Sequence, residues 1–241
     1  GTNVPLLVRV VAGQPEKPEF QQMVADLKAW QALAALAGHD HLAPCRPVVE
    51  AEGWVALACP RPEGLSLREW LAGLAAPPRP WPERVQVARQ LCAAVRAIHA
   101  HGLTHGSLLP ESIVIANGAS GAPAVQVSRT PLFPPAEDHP FTAYHAPEQL
   151  RGYAATPRSD VYGLGVLLYE LFLGAHPFAA ETDDLRLTLQ LYSQPQSPRA
   201  RWPEIPVALE SFLLCLLALD PAERPADGKA VAEAFSALAL E

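Results

Sequence analysis

The chain has 241 residues, enough for one large domain or two small lobes around a real core. Hydrophobic residues make up 49% and the formal net charge is −7, which excludes a disordered chain; with no basic block longer than two residues, it also excludes nucleic-acid binding led by phosphate contacts. The cysteines Cys45, Cys59, Cys92 and Cys215 form no C-x-x-C pair, so neither a zinc site nor a disulfide framework is signalled.

In chain order, "PLLVRVVA" (5–12) reads as a strand. A helix follows, with Phe20, Met23, Val24, Leu27, Trp30, Leu33, Ala34 and Leu36 at helical spacing and Gly38 as its stop. "CRPVVE" (45–50) and "WVALAC" (54–59) read as two strands joined at Glu52-Gly53, and "PRPEG" (60–64) as a connector between lobes. Beyond it come a short helix in "SLREWLAGL" and a long one with Pro82 near its start and Gly102 at its end. A loop at 102–112 then leads to the strands "SIVIA" and "AVQVS" and a proline-rich stretch from 129 to about 145. Helices resume at "SDVYGLGVLLYELFLG", with Ser159 or Asp160 placed to cap it, and continue in "DDLRLTLQLYS", "PVALESFLLCLLALD" and "DGKAVAEAFSALAL". No apolar run approaches the ~18 residues of a membrane span. The fifteen arginines against three lysines point to a GC-rich bacterial coding sequence.

The loop "GLTHGSLLPESIVI" (102–115) carries the motif on which the rest turns. Its spacing His105-Gly106-Ser107-x-Leu109-x-x-Ser112 resembles the protein-kinase catalytic loop, H-R-D-x-K-x-x-N before a strand. Three more landmarks follow in order. "YHAPEQL" resembles the A-P-E motif, with Glu148. The helix at 159–178 carries Asp160, and "LALDPAERP" resembles a D-P-x-x-R-P segment, with Arg224. The resemblance covers residues 5–240. It implies an α+β, bilobal protein-kinase-like fold with a reduced N-lobe, about three strands plus one helix over 1–62, and a mainly helical C-lobe over 63–241. It also implies structural roles for His105, Glu148, Asp160 and Arg224.

The positions that do chemistry in the family depart from its pattern. Phosphoryl transfer needs positioned phosphates, magnesium and a carboxylate that orients the attacking hydroxyl. Ser107 stands where that carboxylate belongs, Leu109 where a lysine belongs, and Ser112 and Ser128 where the magnesium ligands belong. Arg9 replaces the small-lobe lysine, and the matching helix positions, Trp30 or Gln31, offer no acid to pair with it. No glycine-rich G-x-G-x-x-G precedes the first strand. In the hinge, Cys59 aligns with the gatekeeper and Pro60, Arg61 and Pro62 follow; Pro62 has no N–H for an adenine ring. Gly106 replaces the arginine that would read a phosphorylated loop.

Two patterns in the sequence are decoys. Gly163-x-Gly165 lies inside a helix and lacks a third glycine, and His99, His101 and His105 have no acidic or thiol ligand beside them. The five tryptophans read as core by default.

The expectation from these residues is a catalytically inactive kinase homologue, a pseudokinase with no cofactor and no metal. It would scaffold protein partners, either a signalling protein or an adjoining domain of the same polypeptide. No nucleic-acid or membrane contact is expected from this segment. Its expected place is the cytoplasm, alone or as the cytosolic part of a larger membrane protein. The alternative is a nucleotide-sensing or weakly active atypical kinase.

Overall fold

The computed structural model describes residues 6–35, 41–44, 49–51, 53–60, 63–72, 80–118, 121–128 and 141–240. The first described element is β1 (Leu6–Ala12), rich in β-branched residues, followed by α1 (Pro18–Ala35). A second sheet-forming pair follows, β2 (Val49–Ala51) and β3 (Trp54–Pro60), turned through Gly53 at φ 77°. β3 lies in the middle of a three-stranded antiparallel sheet in the order β1-β3-β2, so among the described residues β1 and β2 are its two edges. Val24, Leu27 and Val55 pack beneath this sheet with Ala43 and with Val114 from the following lobe.

That sheet and α1 make a reduced N-lobe, with three strands and one helix among the described residues. A mainly helical C-lobe follows, which gives the bilobal α+β architecture expected of the sequence. The C-lobe starts with β4 (Leu65–Ser66) and α2 (Leu67–Ala72), then the long α3 (Trp81–Ala100). In α3, Val85, Ala88, Leu91, Cys92, Val95 and Ile98 are buried at spacings of three and four, the apolar stripe of a core-facing helix. β5 (Ile113–Asn117) and β6 (Pro123–Val127) join β4 in a second antiparallel sheet, ordered β4-β5-β6. A parallel bridge from Leu42 to Val127 fastens the segment after α1 to this sheet.

The remaining α-helices among the described residues are α4 (Pro147–Leu150), α5 (Pro157–Leu173), α6 (Asp183–Tyr192), α7 (Pro198–Arg201), α8 (Val207–Leu216) and α9 (Gly228–Ser236). α5 is the axis of the lobe. From Ser159 to Phe172 every residue is buried, so the helix needs apolar neighbours on all sides. Its start corrects the sequence reading. The cap is Thr156, not Ser159 or Asp160. The Thr156 Oγ1 accepts the Ser159 N–H at 3.4 Å and the Ser159 Oγ accepts the Thr156 N–H at 3.1 Å. This reciprocal box puts Pro157 at the first helical position, where its missing N–H costs nothing. The strand expected at 45–50 is described only from Val49, and β4 was not expected. Two residues carry no periodicity of their own, and β4 exists because β5 offers it partners.

Candidate functional site

The loop between α3 and β5 is shaped by one carboxylate. Asp160, 2% exposed, accepts the His105 N–H at 2.6 Å and the Gly106 N–H at 2.7 Å, and it meets His99 Nε2 at 2.9 Å. Three donors around a buried carboxylate replace the water it has lost. Gly106 lies at φ 76°, a backbone region that suits glycine, and its carbonyl accepts the Gln149 amide at 2.8 Å. The far nitrogen of His99 accepts the Gly228 N–H at 2.8 Å, so this histidine is a strut between α5 and α9.

His105 is fully buried and holds both ends of the loop. Its Nε2 donates to the Ser128 carbonyl at 2.8 Å, and its Nδ1 accepts the Ser107 N–H at 3.3 Å. These partners fix one neutral tautomer. Trp30, buried on α1, meets the His105 ring edge-on, with centroids 5.4 Å apart. The indole therefore fills the place where the sequence reading sought an acid.

The structure gathers His105, Ser107, Leu109, Ser112, Ser128 and Asp160 around this loop. Ser107 is half-buried at the bend. Leu109 is buried and adds an apolar wall. Ser112 is fully buried; its hydroxyl donates to the Leu109 carbonyl at 2.8 Å and accepts the Leu109 N–H at 3.2 Å. Ser128, also buried, donates its N–H to the Ser112 carbonyl at 2.8 Å. Arg9 sits in β1 opposite Leu57, Cys59 in β3 opposite Leu7, and Pro60 at the end of β3 opposite Leu6. Arg61 and Pro62 lie outside the described residues.

Glu148 and Arg224 meet in a two-pronged pair at 2.8 and 2.9 Å. Arg224 also donates to the carbonyls of Ala218 and Arg158, and its guanidinium lies 4.8 Å from the Tyr162 ring centroid. Burial works to raise the Glu148 pKa, but the hydrogen bond and charge of Arg224 outweigh it and hold the carboxyl below its ordinary value. Ser159 donates to the same carboxylate at 2.8 Å, which joins this pair to the cap of α5.

A second polar chain escaped the sequence reading. Arg68 on α2 pairs with the buried Glu111 of the loop and donates to the Tyr144 hydroxyl at 3.1 Å; that hydroxyl donates to Glu170 on α5 at 2.9 Å. Burial is the main cause that pushes the Glu170 carboxyl up to about 7. The one available signal was Glu170 itself, an acid inside the apolar run "LLYELFL", which must find a polar partner when buried.

The resemblance to the kinase catalytic loop implies a magnesium ion here. Magnesium takes hard, anionic oxygens. The Ser112 hydroxyl is committed to Leu109, the Glu111 carboxylate to Arg68, and the described residues contain no group of three or more His, Cys, Asp or Glu that could hold a metal. The described residues do not fit the ion. What the loop can do is present the half-buried Ser107 on a rigid, clamped bend.

The fold matches solved structures. The kinase domain of Mycobacterium tuberculosis PknI superposes with a TM-score of 0.70 at 22% identity, covering 97% of this chain and 86% of that one. Among curated proteins, the chain is 34% identical over 150 residues to the serine/threonine-protein kinase Pkn1 of Myxococcus xanthus, covering 58% of this chain and 22% of that protein. It is 30% identical over 228 residues to the serine/threonine-protein kinase PknD of Mycobacterium tuberculosis, covering 90% of this chain and 34% of the relative. The chain thus spans 22% and 34% of the length of these two relatives. A family model described as "Protein kinase domain" matches residues 8–236.

These findings overturn the expectation that the chain is no enzyme: the kinase family model and the serine/threonine kinase relatives point to a kinase enzyme. The substitutions at Ser107, Leu109, Ser112 and Ser128 remove groups that assist the reaction, whereas phosphoryl transfer depends first on a positioned frame. With that frame held by Asp160 and the family match running from β1 to α9, the chain belongs to the protein kinase domain family.

Proposed function

We propose that this domain is a weakly active, atypical protein kinase that transfers phosphate from a nucleotide to a serine or threonine hydroxyl of a protein. The observation that carries the reading is the Asp160 clamp on His105 and Gly106, which holds the loop in one shape and sets Ser107 at its bend. Phosphoryl transfer passes through a loose transition state in which the attacking oxygen bonds late and positioning dominates. A missing general base then slows the reaction by about 10²–10⁴-fold and does not abolish it. Ser107 supplies a hydrogen-bonding hydroxyl in place of a carboxylate, so it orients the acceptor hydroxyl and leaves its proton to the phosphate or to water.

The test is single-turnover transfer from γ-labelled ATP to a mixed protein substrate, with the domain in excess and with magnesium, manganese or chelator present. Slow incorporation that scales with the amount of folded domain supports the reading. Incorporation no greater than that with heat-denatured protein, under all three conditions, rejects it. A parallel thermal-shift titration with ATP separates loss of binding from loss of transfer.

A further inference from the structure

A cavity of about 720 Å³ opens between α2, the start of α3, the end of α5 and α7, away from the residues that the loop gathers at Ser107. Its volume falls in the range of small-molecule sites, about 300–1,000 Å³. Trp81 and Trp202 form one wall, with ring centroids 5.4 Å apart and faces steeply inclined to each other. Arg68, Arg84 and Arg201 come into the same space from three different helices, and among the described lining residues Glu170 is the one acid. Arg84 and Arg201 are anchored from below: Arg84 Nη1 donates to the Phe172 carbonyl at 3.0 Å and Arg201 Nε donates to the Leu173 carbonyl at 3.2 Å. An anchored guanidinium loses little further freedom when it takes an anion, and its planar fork matches the two oxygens of a carboxylate. The tryptophan wall favours a flat apolar body.

We propose that this cavity is a binding site for a small aromatic carboxylate, its ring against Trp81 and Trp202 and its carboxylate toward Arg201 and Arg84. Glu170 does not oppose the anion fully near neutral pH, because burial keeps a share of its carboxyl protonated there. Arg68 links the site to the loop, since the same side chain that lines the cavity pairs with Glu111. Neither nucleotide nor phosphotransfer enters into this binding.

The probe is 2-naphthoate, titrated calorimetrically into the whole chain at low ionic strength, with 2-naphthalenemethanol as its uncharged analogue. One saturable site for the acid is expected, with the alcohol weaker by about tenfold or more. Arg201→Glu reverses an exposed charge and should weaken the acid by at least about tenfold while leaving the alcohol unchanged. Should Arg201→Glu melt early, Arg201→Gln, which retains a donor for Leu173, is read in its place. The tryptophan fluorescence change on binding should shrink in Trp202→Phe, and saturating ATP should not displace the probe. Absence of saturable binding, equal affinity for acid and alcohol, no effect of either Arg201 variant, or displacement by ATP would each overturn the site.

Discussion

Trp30 and His105 meet edge to face, 5.4 Å between ring centroids, and through this contact the helix of the small lobe rests on the loop of the large one. Both side chains are buried, at 1% and 0% exposure, so the indole is held on one side by a histidine whose own nitrogens are committed to Ser107 and Ser128. The contact explains why α1 carries no acid at this position: an aromatic brace holds the helix here.

Truncating that brace should loosen the lobes. Trp30→Ala removes a fully buried indole and should lower stability by about 3–5 kcal/mol. Trp30→Phe keeps a ring against His105 and should cost much less. Urea denaturation of the two variants, followed by amide exchange across β1 and β3, checks this. Equal losses for Ala and Phe would show that the aromatic contact is not what matters.

Returning a carboxylate to the loop should raise transfer. Ser107 is half-buried at the bend, with its backbone already fixed by His105. Ser107→Asp supplies a base there and should speed phosphate incorporation by about 10²-fold. The reading is the single-turnover rate, with melting temperature as a control for folding. An unchanged rate in a folded variant would mean that proton transfer does not limit this domain.

The pH dependence of stability should carry the mark of Glu170. Its folded pKa lies near 7 against an ordinary 4.5, so between those values the folded state keeps a proton that the unfolded state gives up. Stability therefore falls as pH rises from about 4.5 to 7 and levels off above. The drop is about 3 kcal/mol at about 1.4 kcal/mol per pH unit. Tyr144, Arg68 and Glu111 face the same network, so the clean reading is a difference: denaturation midpoints of the native chain against Glu170→Gln at pH 5 and pH 8. The native chain should lose more than the variant. A parallel fall in both would remove Glu170 as the cause.

Breaking the pair at the other end of α5 should cost more than a surface ion pair does. Arg224 has a fully buried side chain that donates five hydrogen bonds to four residues, and Arg224→Ala leaves the Glu148 carboxylate without its paired charge. A loss of about 3–5 kcal/mol is expected. Glu148→Gln keeps one hydrogen-bond acceptor and should cost less. The double variant, measured by calorimetry, should be less harmful than the sum of the two single changes.

A backbone contact sets the last prediction. A Cβ at Gly228 would stand 2.6 Å from the Arg96 nitrogen and the Val95 carbonyl carbon, both main-chain atoms of α3 that cannot rotate away. Gly228→Ala should push α9 off α3, strain the bond from the Gly228 N–H to His99 and cost about 1–3 kcal/mol, seen as a lower Tm. An unchanged Tm would show that α9 shifts freely.

Much of the frame was legible beforehand because its signals are local or come from recurrent short motifs. The stripe on α3 predicts the helix and its buried face, and the spacing of His105, Glu148, Asp160 and Arg224 points to one fold. What escaped was non-local. The cap at Thr156 escaped because Ser159 satisfies the same pattern one turn later, and only the backbone shows which residue leaves the helix. Arg68 and Glu111 lie 43 positions apart, and nothing at either position announces the other.

By itself the sequence determined the kinase-like architecture, the run of buried residues through α5 and the missing carboxylate at Ser107, because hydrophobic period and residue type are written at each position. Only the tertiary structure decided that Trp30 replaces an acid with a ring on His105, that Ser112 turns its hydroxyl inward to Leu109, and that three arginines from three helices share one cavity with two tryptophans. Those outcomes depend on which surfaces remain to be covered once the helices have packed. Burial and hydrogen-bond satisfaction then select the partners across distances that no local pattern spans.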